Sequence, residues 1–577
     1  MCLLARVLRH WQDAPVFRTI GQPCRLAIRA CDMAQQIVHR REGIIMKFKL
    51  WAATAAVLAV VACGGGGGGD VHYPIILPPP DQNPPPPPPP VQQKAKVTGR
   101  VTNALSGQGV AQVTVSNGSS SAVTADDGSY TLTDITPAAS VLLSFTKAGM
   151  VPQSRATAAL SASGSSTVIN IPMLPVAVTV NFDPTAAYDV VVPGSTAMVR
   201  LRANSLRRAD GSAPTGPATA RVTPIAPASD LNVMPGNYLA GTDGGSAPIE
   251  SFGALDASFV DADGAPLNLA AGTDATVRIA PSSRADALPA SVPLFHYNTT
   301  TGLWVQEGTA TLQGTAPSQY YEGTVTHFTT WNADRIYDTV RINGCVQNAA
   351  GERVGGALVA SEGKTYTGLA TALTNANGEF SVAAKRASGA YVIASTATEV
   401  SNAPTVTVGS EDVTLGACLT LTRSAVSVKL TWGALPLDLD SYTFGANADE
   451  LVYFENKGSL TEAPFIGLDV DDQFSFGPEI TTFAKLAKNR TYRFVVHNYS
   501  DTFDPGQTGS PARIEVANRG TQSIFTPPAG ETSSTRIWHV FDMTTDANCQ
   551  ATIVPVQQFL ANAPAPINTD NNAQYCN

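Results

Sequence analysis

Thr124-Ala-Asp-Asp-Gly-Ser-Tyr130 and, far downstream, Thr374-Asn-Ala-Asn-Gly-Glu-Phe380 set a threonine, a glycine and an aromatic ring at equal spacing. Each stretch reads as a tight hairpin turn. Asp and Asn side chains bond their own backbone, and glycine accepts a positive φ at little cost. Turn formation accounts for Asp126, Asp127, Asn375 and Asn377 without a metal. Upstream of the first turn lie Val97-Thr-Gly-Arg-Val101 and Gly109-Val-Ala-Gln-Val-Thr-Val115. Upstream of the second lie Arg341-Ile-Asn-Gly-Cys345 and Gly355-Gly-Ala-Leu-Val-Ala360. Apolar and polar residues alternating with period two mark short, half-buried strands. The expected fold class is all-β: tandem β-sandwich domains, with unrelated sequence between the two copies.

Both copies resemble the transthyretin-like, carboxypeptidase-regulatory-like sandwiches of bacterial surface proteins. The motif is Gly-Xaa-Val followed by Thr-Xaa-Xaa-Xaa-Gly-Xaa-aromatic. The second copy has Gly356-Ala-Leu in place of Gly-Xaa-Val. The resemblance implies rigid spacer or accessory domains and lends no activity. The copies are expected over 95–176 and 337–420. Between them, 177–336 reads as a further β-rich domain, with Gly302-Leu-Trp304 and Thr326-His-Phe-Thr-Thr-Trp-Asn-Ala-Asp334 near its end.

The last block, 421–577, opens on the alternating strand Val426-Ser-Val-Lys-Leu-Thr-Trp432. Leu435-Pro-Leu-Asp-Leu-Asp440, Gly467-Leu-Asp-Val-Asp-Asp472, Phe476-Gly-Pro-Glu479 and Tyr492-Arg-Phe-Val-Val-His-Asn-Tyr499 follow. This ordered set resembles an uncharacterised bacterial Asp-Leu-Asp / Gly-Pro-Glu β-sandwich family, which has no established reaction to lend. Asp438 and Asp440 share one side of a strand, as do Asp469 and Asp471, with Asp472 opposite. If the two segments meet, converging carboxylates repel, and a hard cation such as Ca²⁺ relieves the cost. Asp438, Asp440, Asp469, Asp471, Asp472 and Glu479 are therefore the candidate ligands. The competing readings are solvated loop acids and a catalytic carboxylate pair. Calcium is the one cofactor the sequence suggests.

Working outward to the N-terminus, Lys47 and Lys49 precede an apolar run, Leu50 to Ala62, that is too short to span a bilayer. It ends Val60-Val61-Ala62-Cys63, which resembles the lipobox of bacterial lipoproteins. The resemblance implies an export signal over 46–62 and a Cys63 carrying acyl chains such as palmitate. Residues 1–45 are read as an upstream extension ahead of the true start at Met46. Residues 63–94 are read as a tether: 64–69 are all glycine and 84–90 all proline. Seven prolines in a polyproline II rod span roughly 20 Å. Gly64, rather than an aspartate, follows Cys63, which leans toward the outer membrane, facing the periplasm or the cell surface.

The full chain has 577 residues and a formal charge of −9. Setting aside the nine basic and three acidic residues before Cys63 takes the charge to −15. So acidic a body repels nucleic acid. Hydrophobic residues make up 44 % of the chain, enough for folded domains, and the length suits about three to five of them.

Beyond Cys63 the cysteines are Cys345, Cys418, Cys549 and Cys576. An even number in an oxidising compartment suggests disulfides, and three pairings exist. The favoured pairing is Cys345 with Cys418, which bracket the second regulatory-like sandwich, and Cys549 with Cys576. No spacing is a tight zinc or redox pair.

Three function classes compete. The first is a non-enzymatic surface or envelope lipoprotein, anchored to the membrane and displaying its domains for adhesion or for envelope and extracellular partners. The second is a glycan- or peptide-binding lipoprotein. Trp304, Trp331, Trp432 and Trp538 are its candidate stacking residues, although their strand contexts suit core packing at least as well. The third is an extracytoplasmic hydrolase. No His-Glu-Xaa-Xaa-His occurs, and no nucleophile elbow lies between a strand and a helix. The one histidine-centred candidate is His327 near Trp331 and Asp334. The first class is favoured, and no enzyme is expected.

Overall fold

The computed structural model describes residues 94–576, apart from 158, 159, 161–165, 397, 398 and 474. The stretch expected to be an export signal, Cys63 and the glycine and proline runs lie outside the described residues. Within them the chain is all-β: the helical elements are single turns, at Leu231–Val233 and Gly506–Gly509.

In the first sandwich, Ala95–Asn103 runs antiparallel to Ser129–Ile135 and parallel to Ser166–Val168 and Ile171–Met173. A second sheet places Thr114–Ser116 between Ser121–Val123 and Leu142–Thr146. Val97, Val101, Val115, Leu132, Leu143 and Phe145 fill the space between the sheets.

The chain repeats this wiring over 339–422. Thr339–Gln347 runs antiparallel to Glu379–Lys385 and parallel to Val413–Thr414 and Leu419–Thr422. Leu358–Gly363 lies between Leu369–Leu373 and Ser388–Ser395. Here Val400–Ser401 pairs with both layers and joins them into one nine-stranded sheet.

The repeated motif has a physical content. The buried Thr124 hydroxyl accepts from Val113 N–H at 2.9 Å and donates to Val110 O at 2.6 Å. Thr374 does the same with Ala357 N–H at 2.9 Å and Val354 O at 2.7 Å. Gly128 and Gly378 sit at φ +82° and +72°, and a Cβ there would meet Val101 O at 2.2 Å and Val346 O at 2.8 Å. The aromatic closes the motif: Tyr130 stands opposite Gly99 and Phe380 opposite Gly344. The second copy therefore keeps its Gly-Xaa-Val at Gly344-Cys-Val346, not at Gly356-Ala-Leu. Gly355 is instead the counterpart of Gly109, each pressed against the turn that follows.

Both favoured disulfides are present: Cys345 with Cys418 and Cys549 with Cys576. In the first sandwich the place of the Cys345–Cys418 bridge is taken by Arg100 N–H donating to Asn170 Oδ1 at 3.0 Å.

Strands from Val178–Phe182 to Thr330–Ile336 form one 13-stranded sheet. Its spine, Gly245–Val260, changes register between Ser251 and Ala254, where Gly253 has φ +127°. The bend gives the sheet two cores, one around Trp331 and one around Trp304.

The last domain stacks two sheets. One holds Val426–Thr431 between Glu479–Phe483 and Arg513–Asn518. The other holds Thr491–Asn498 between Leu439–Phe444 and Ile537–Thr545. Trp432 and Trp538 lie in the core between them. All four downstream tryptophans are at most 1 % exposed, so none presents a face to a sugar.

Candidate metal centre

The acidic segments of the last domain meet at one end of its sandwich. Asp438 and Asp440 come from the start of Leu439–Phe444 in one sheet, and Glu479 opens Glu479–Phe483 in the other. Asp471 lies in the loop after Ile466–Leu468. One carboxylate oxygen each of Asp440, Asp471 and Glu479 lies within 4.8 Å of the others. That is about the span between opposite oxygens around a calcium ion, which binds oxygen at 2.3–2.6 Å.

Burial makes the cluster unusual. Asp440 and Glu479 are 2 % and 1 % exposed. Oxygens of Asp438 (Oδ1), Asp440 (Oδ2), Asp471 (Oδ1) and Glu479 (Oε1) are buried with no hydrogen-bond partner among the described residues. Desolvation, and then the neighbouring Asp471 and Asp472, push the Asp438 carboxyl up to about 6. Desolvation with Asp438 and Asp471 pushes Asp440 up to about 8. Glu479 is driven well above its ordinary value by burial, although Ser441 opposes this with an N–H at 2.8 Å and a hydroxyl at 2.6 Å. Unpaired carboxylates out of water either take up protons or hold a cation.

Of the other two expected ligands, one is engaged elsewhere and one only in part. Asp469 Oδ1 accepts from Val470 N–H at 2.7 Å and Ile480 N–H at 3.0 Å, which ties the 469–472 loop to the strand carrying Glu479, while its Oδ2 is buried with no hydrogen-bond partner among the described residues. Asp472 turns to the opposite side, where Lys364 and Tyr391 of the preceding sandwich donate to it. The structure thus brings together Asp440, Asp471 and Glu479 with Asp438 beside them, anchors Asp469 through one oxygen and leaves its other unpartnered, and uses Asp472 in a domain contact.

Beside the acids lies a run of aromatic rings. Tyr442 stacks on Tyr453 at 5.3 Å, and Phe454 meets Tyr442, Tyr453 and Tyr499 edge-on. Tyr499 is 52 % exposed. Burial raises the Tyr442 hydroxyl, and the Asp440 carboxylate adds to the effect.

Residues 96–174 match the carboxypeptidase regulatory-like domain. The match covers the first sandwich and ends well short of the acidic cluster. No curated protein matches the chain at a significant level. Among solved structures it is similar to SAV2460, a protein of unknown function, at 16 % identity over 25 % of this chain and 94 % of that one, with a TM-score of 0.19. It is similar to the Bacillus anthracis TIE protein at 12 % identity over 57 % of this chain and 50 % of that one, with a TM-score of 0.12. A putative carbohydrate binding protein from Bacteroides uniformis matches at 11 % identity over 40 % of this chain and 98 % of its own, also with a TM-score of 0.12. At such TM-scores these likenesses carry no argument about function.

The histidine candidate is rearranged. His327 does lie against Trp331, with ring centroids 5.0 Å apart. Asp334 is buried beside Ser251 and Glu250, and burial holds its carboxyl well above the usual range. The residues that do join His327 are His296 and Glu307. Neither of these two stands in a sequence motif. The one available signal was the shared side of adjacent strands, which needs the pairing register.

Proposed function

We propose that the chain is a non-enzymatic envelope lipoprotein, anchored through Cys63, whose last domain binds calcium and displays a surface for adhesion. The observation that carries the calcium reading is the set of buried, unpartnered carboxylate oxygens on Asp438, Asp440, Asp471 and Glu479. Calcium takes six to eight oxygens, so waters or backbone carbonyls complete the shell. The ion joins the two sheets at the end of the sandwich and fixes the strand that carries Tyr442. The aromatic run beside it, with Tyr499 half exposed, is the surface offered to a glycan or protein partner, since tyrosine rings carry apolar faces with a polar tip.

The test is thermal unfolding of the chelator-treated full chain against added Ca²⁺. At free Ca²⁺ about 100 times Kd, linkage adds ~2.7 kcal/mol of stability. Asp440→Asn and Asp471→Asn are expected to abolish the response. An equal calcium response in both variants sinks the proposal. In the same assay, a soluble polysaccharide should raise the midpoint further in calcium-loaded protein if the partner is a glycan, and leave it unchanged if it is not.

A further inference from the structure

A second cluster lies in the 13-stranded sheet, outside anything the calcium reading uses. His296 stands on Ser291–Asn298, Glu307 on the neighbouring Leu303–Gln313, and His327 just ahead of Thr330–Ile336, which pairs with the other edge of Ser291–Asn298. The register explains the meeting. His296 stands opposite Val305 on one side and Trp331 on the other. Opposed residues share a face, and a strand repeats its face every second residue, so Glu307 follows Val305 onto the side of His296. His327 reaches the same side from the turn that leads to Trp331.

The distances suit a metal better than a hydrogen bond. His296 Nδ1 and His327 Nε2 each lie 3.4 Å from the same oxygen, Glu307 Oε2, and the three donor atoms all fall within 4.8 Å of one another. An N–H···O bond prefers about 2.9 Å. Ligands on a tetrahedral zinc at 2.0–2.1 Å stand roughly 3.3 Å apart. His296 Nδ1 is buried and has no hydrogen-bond partner among the described residues. The surroundings hold the donors in place. Thr326 donates its hydroxyl to Glu307 Oε1 at 2.5 Å, leaving Oε2 to face the imidazoles. Trp331, 1 % exposed, forms the wall behind both rings, and its Nε1–H donates to His327 O at 3.0 Å. The Glu307 and His327 side chains keep 37 % and 32 % of their surface exposed, so one side of the cluster opens to solvent.

We propose that His296, Glu307 and His327 bind one divalent transition-metal ion of the zinc class. Two imidazoles and a carboxylate form an N₂O donor set of borderline softness, which suits zinc and disfavours calcium. Three protein ligands leave a fourth position, on the open side, for water. The Thr326 hydroxyl orients the carboxylate from behind.

The full chain, stripped with chelator, is titrated with Zn²⁺ by calorimetry, and with Co²⁺ by visible absorption. One equivalent of Zn²⁺ and the absorption of tetrahedral Co²⁺ are expected. His327→Gln and His296→Ala should abolish both, while Asp440→Asn leaves both intact. Thr326→Val should weaken binding by about 10-fold or more. His327 is partly exposed, so His327→Gln is the variant least able to disturb the fold, and circular dichroism checks it. Failure of the wild-type chain to bind Zn²⁺, or binding that survives both histidine substitutions, overturns the assignment. The calcium reading stands or falls separately, on Asp440.

Discussion

Asp440 concentrates the physical tension of the last domain in one side chain. Its carboxyl is pushed up to about 8, first by desolvation and then by Asp438 and Asp471, and Asp438 is itself pushed up to about 6. Both values rise on folding from 3.8, so between these limits the folded chain holds more protons than the unfolded one. Stability from these groups is therefore fully present below about pH 4 and is lost as pH rises toward 8. In chelator, the wild-type chain is expected to lose on the order of 4 kcal/mol relative to Asp440→Asn between about pH 5 and 8. Urea unfolding at several pH values measures the difference. Calcium should flatten the slope, because it needs the ionised form and releases the protons on binding. A wild-type chain that gains stability over Asp440→Asn as pH rises in chelator contradicts this account of the site. The convergence behind it was legible in the sequence as far as period two goes: Asp438 with Asp440, and Asp472 opposite Asp471. That Asp469 would cap backbone amides was not legible, because those amides belong partly to Ile480, on a strand after an intervening loop.

At the scale of elements, the hairpin motif was legible because its causes are local. A threonine, a positive-φ glycine and an aromatic each answer to neighbours a few residues away or on the adjacent strand. The second copy's Gly-Xaa-Val was misplaced because glycines at 344, 355 and 356 compete for the role. Only strand register, Gly344 opposite Phe380, decides between them. The same register explains the disulfide. Cys345 and Cys418 flank the parallel pairing of Val346 with Leu419, where the first sandwich makes do with the Arg100–Asn170 hydrogen bond. The strands are held natively either way, so the bridge acts mainly on the unfolded chain. Closing a loop with a sequence separation of 73 is worth ~4 kcal/mol in the chain-entropy account. The double variant Cys345→Ala/Cys418→Ala should therefore lower the stability of the 339–422 sandwich by an amount of that order and leave the 95–173 sandwich untouched. Hydrogen exchange read separately over the two segments makes the comparison, and equal loss in both would show that the bridge does not act on its own domain.

At the scale of the described molecule, residues 94–576, the tandem domains pack into a body in which the first and last domains touch. The turn at 103–107 of the first sandwich lies against the hairpin of Arg513–Asn518 and Thr521–Phe525: Ile524 N–H donates to Ser106 O at 3.2 Å, and Arg100 donates to Gly520 O. Arg513, 7 % exposed, is the centre of this junction. Its guanidinium donates to Ala104 O at 2.7 Å, to Asp230, which caps the Leu231–Val233 turn of the middle domain, at 3.2 Å, and to Glu515 at 2.9 Å. Three domains thus share one planar cation, and Lys364 with Asp472 and Lys385 with Glu250 join further neighbours. The partners in other domains could not be read from the sequence, since Arg513 and Ala104 stand 409 residues apart and no periodic pattern links them. Arg513→Ala leaves Asp230, itself only 9 % exposed on its side chain, without its cation, and breaking a buried pair in this way costs about 3 kcal/mol or more. Because the loss falls on a junction and not within one core, it should appear as lost cooperativity: urea unfolding that is coincident by tryptophan fluorescence and by proteolysis of the first sandwich should separate into two steps. Arg513→Lys keeps the charge but not the fork that reaches three acceptors, so it should fall between the two. Coincident transitions with an unchanged midpoint in Arg513→Ala would mean that the domains are held together elsewhere.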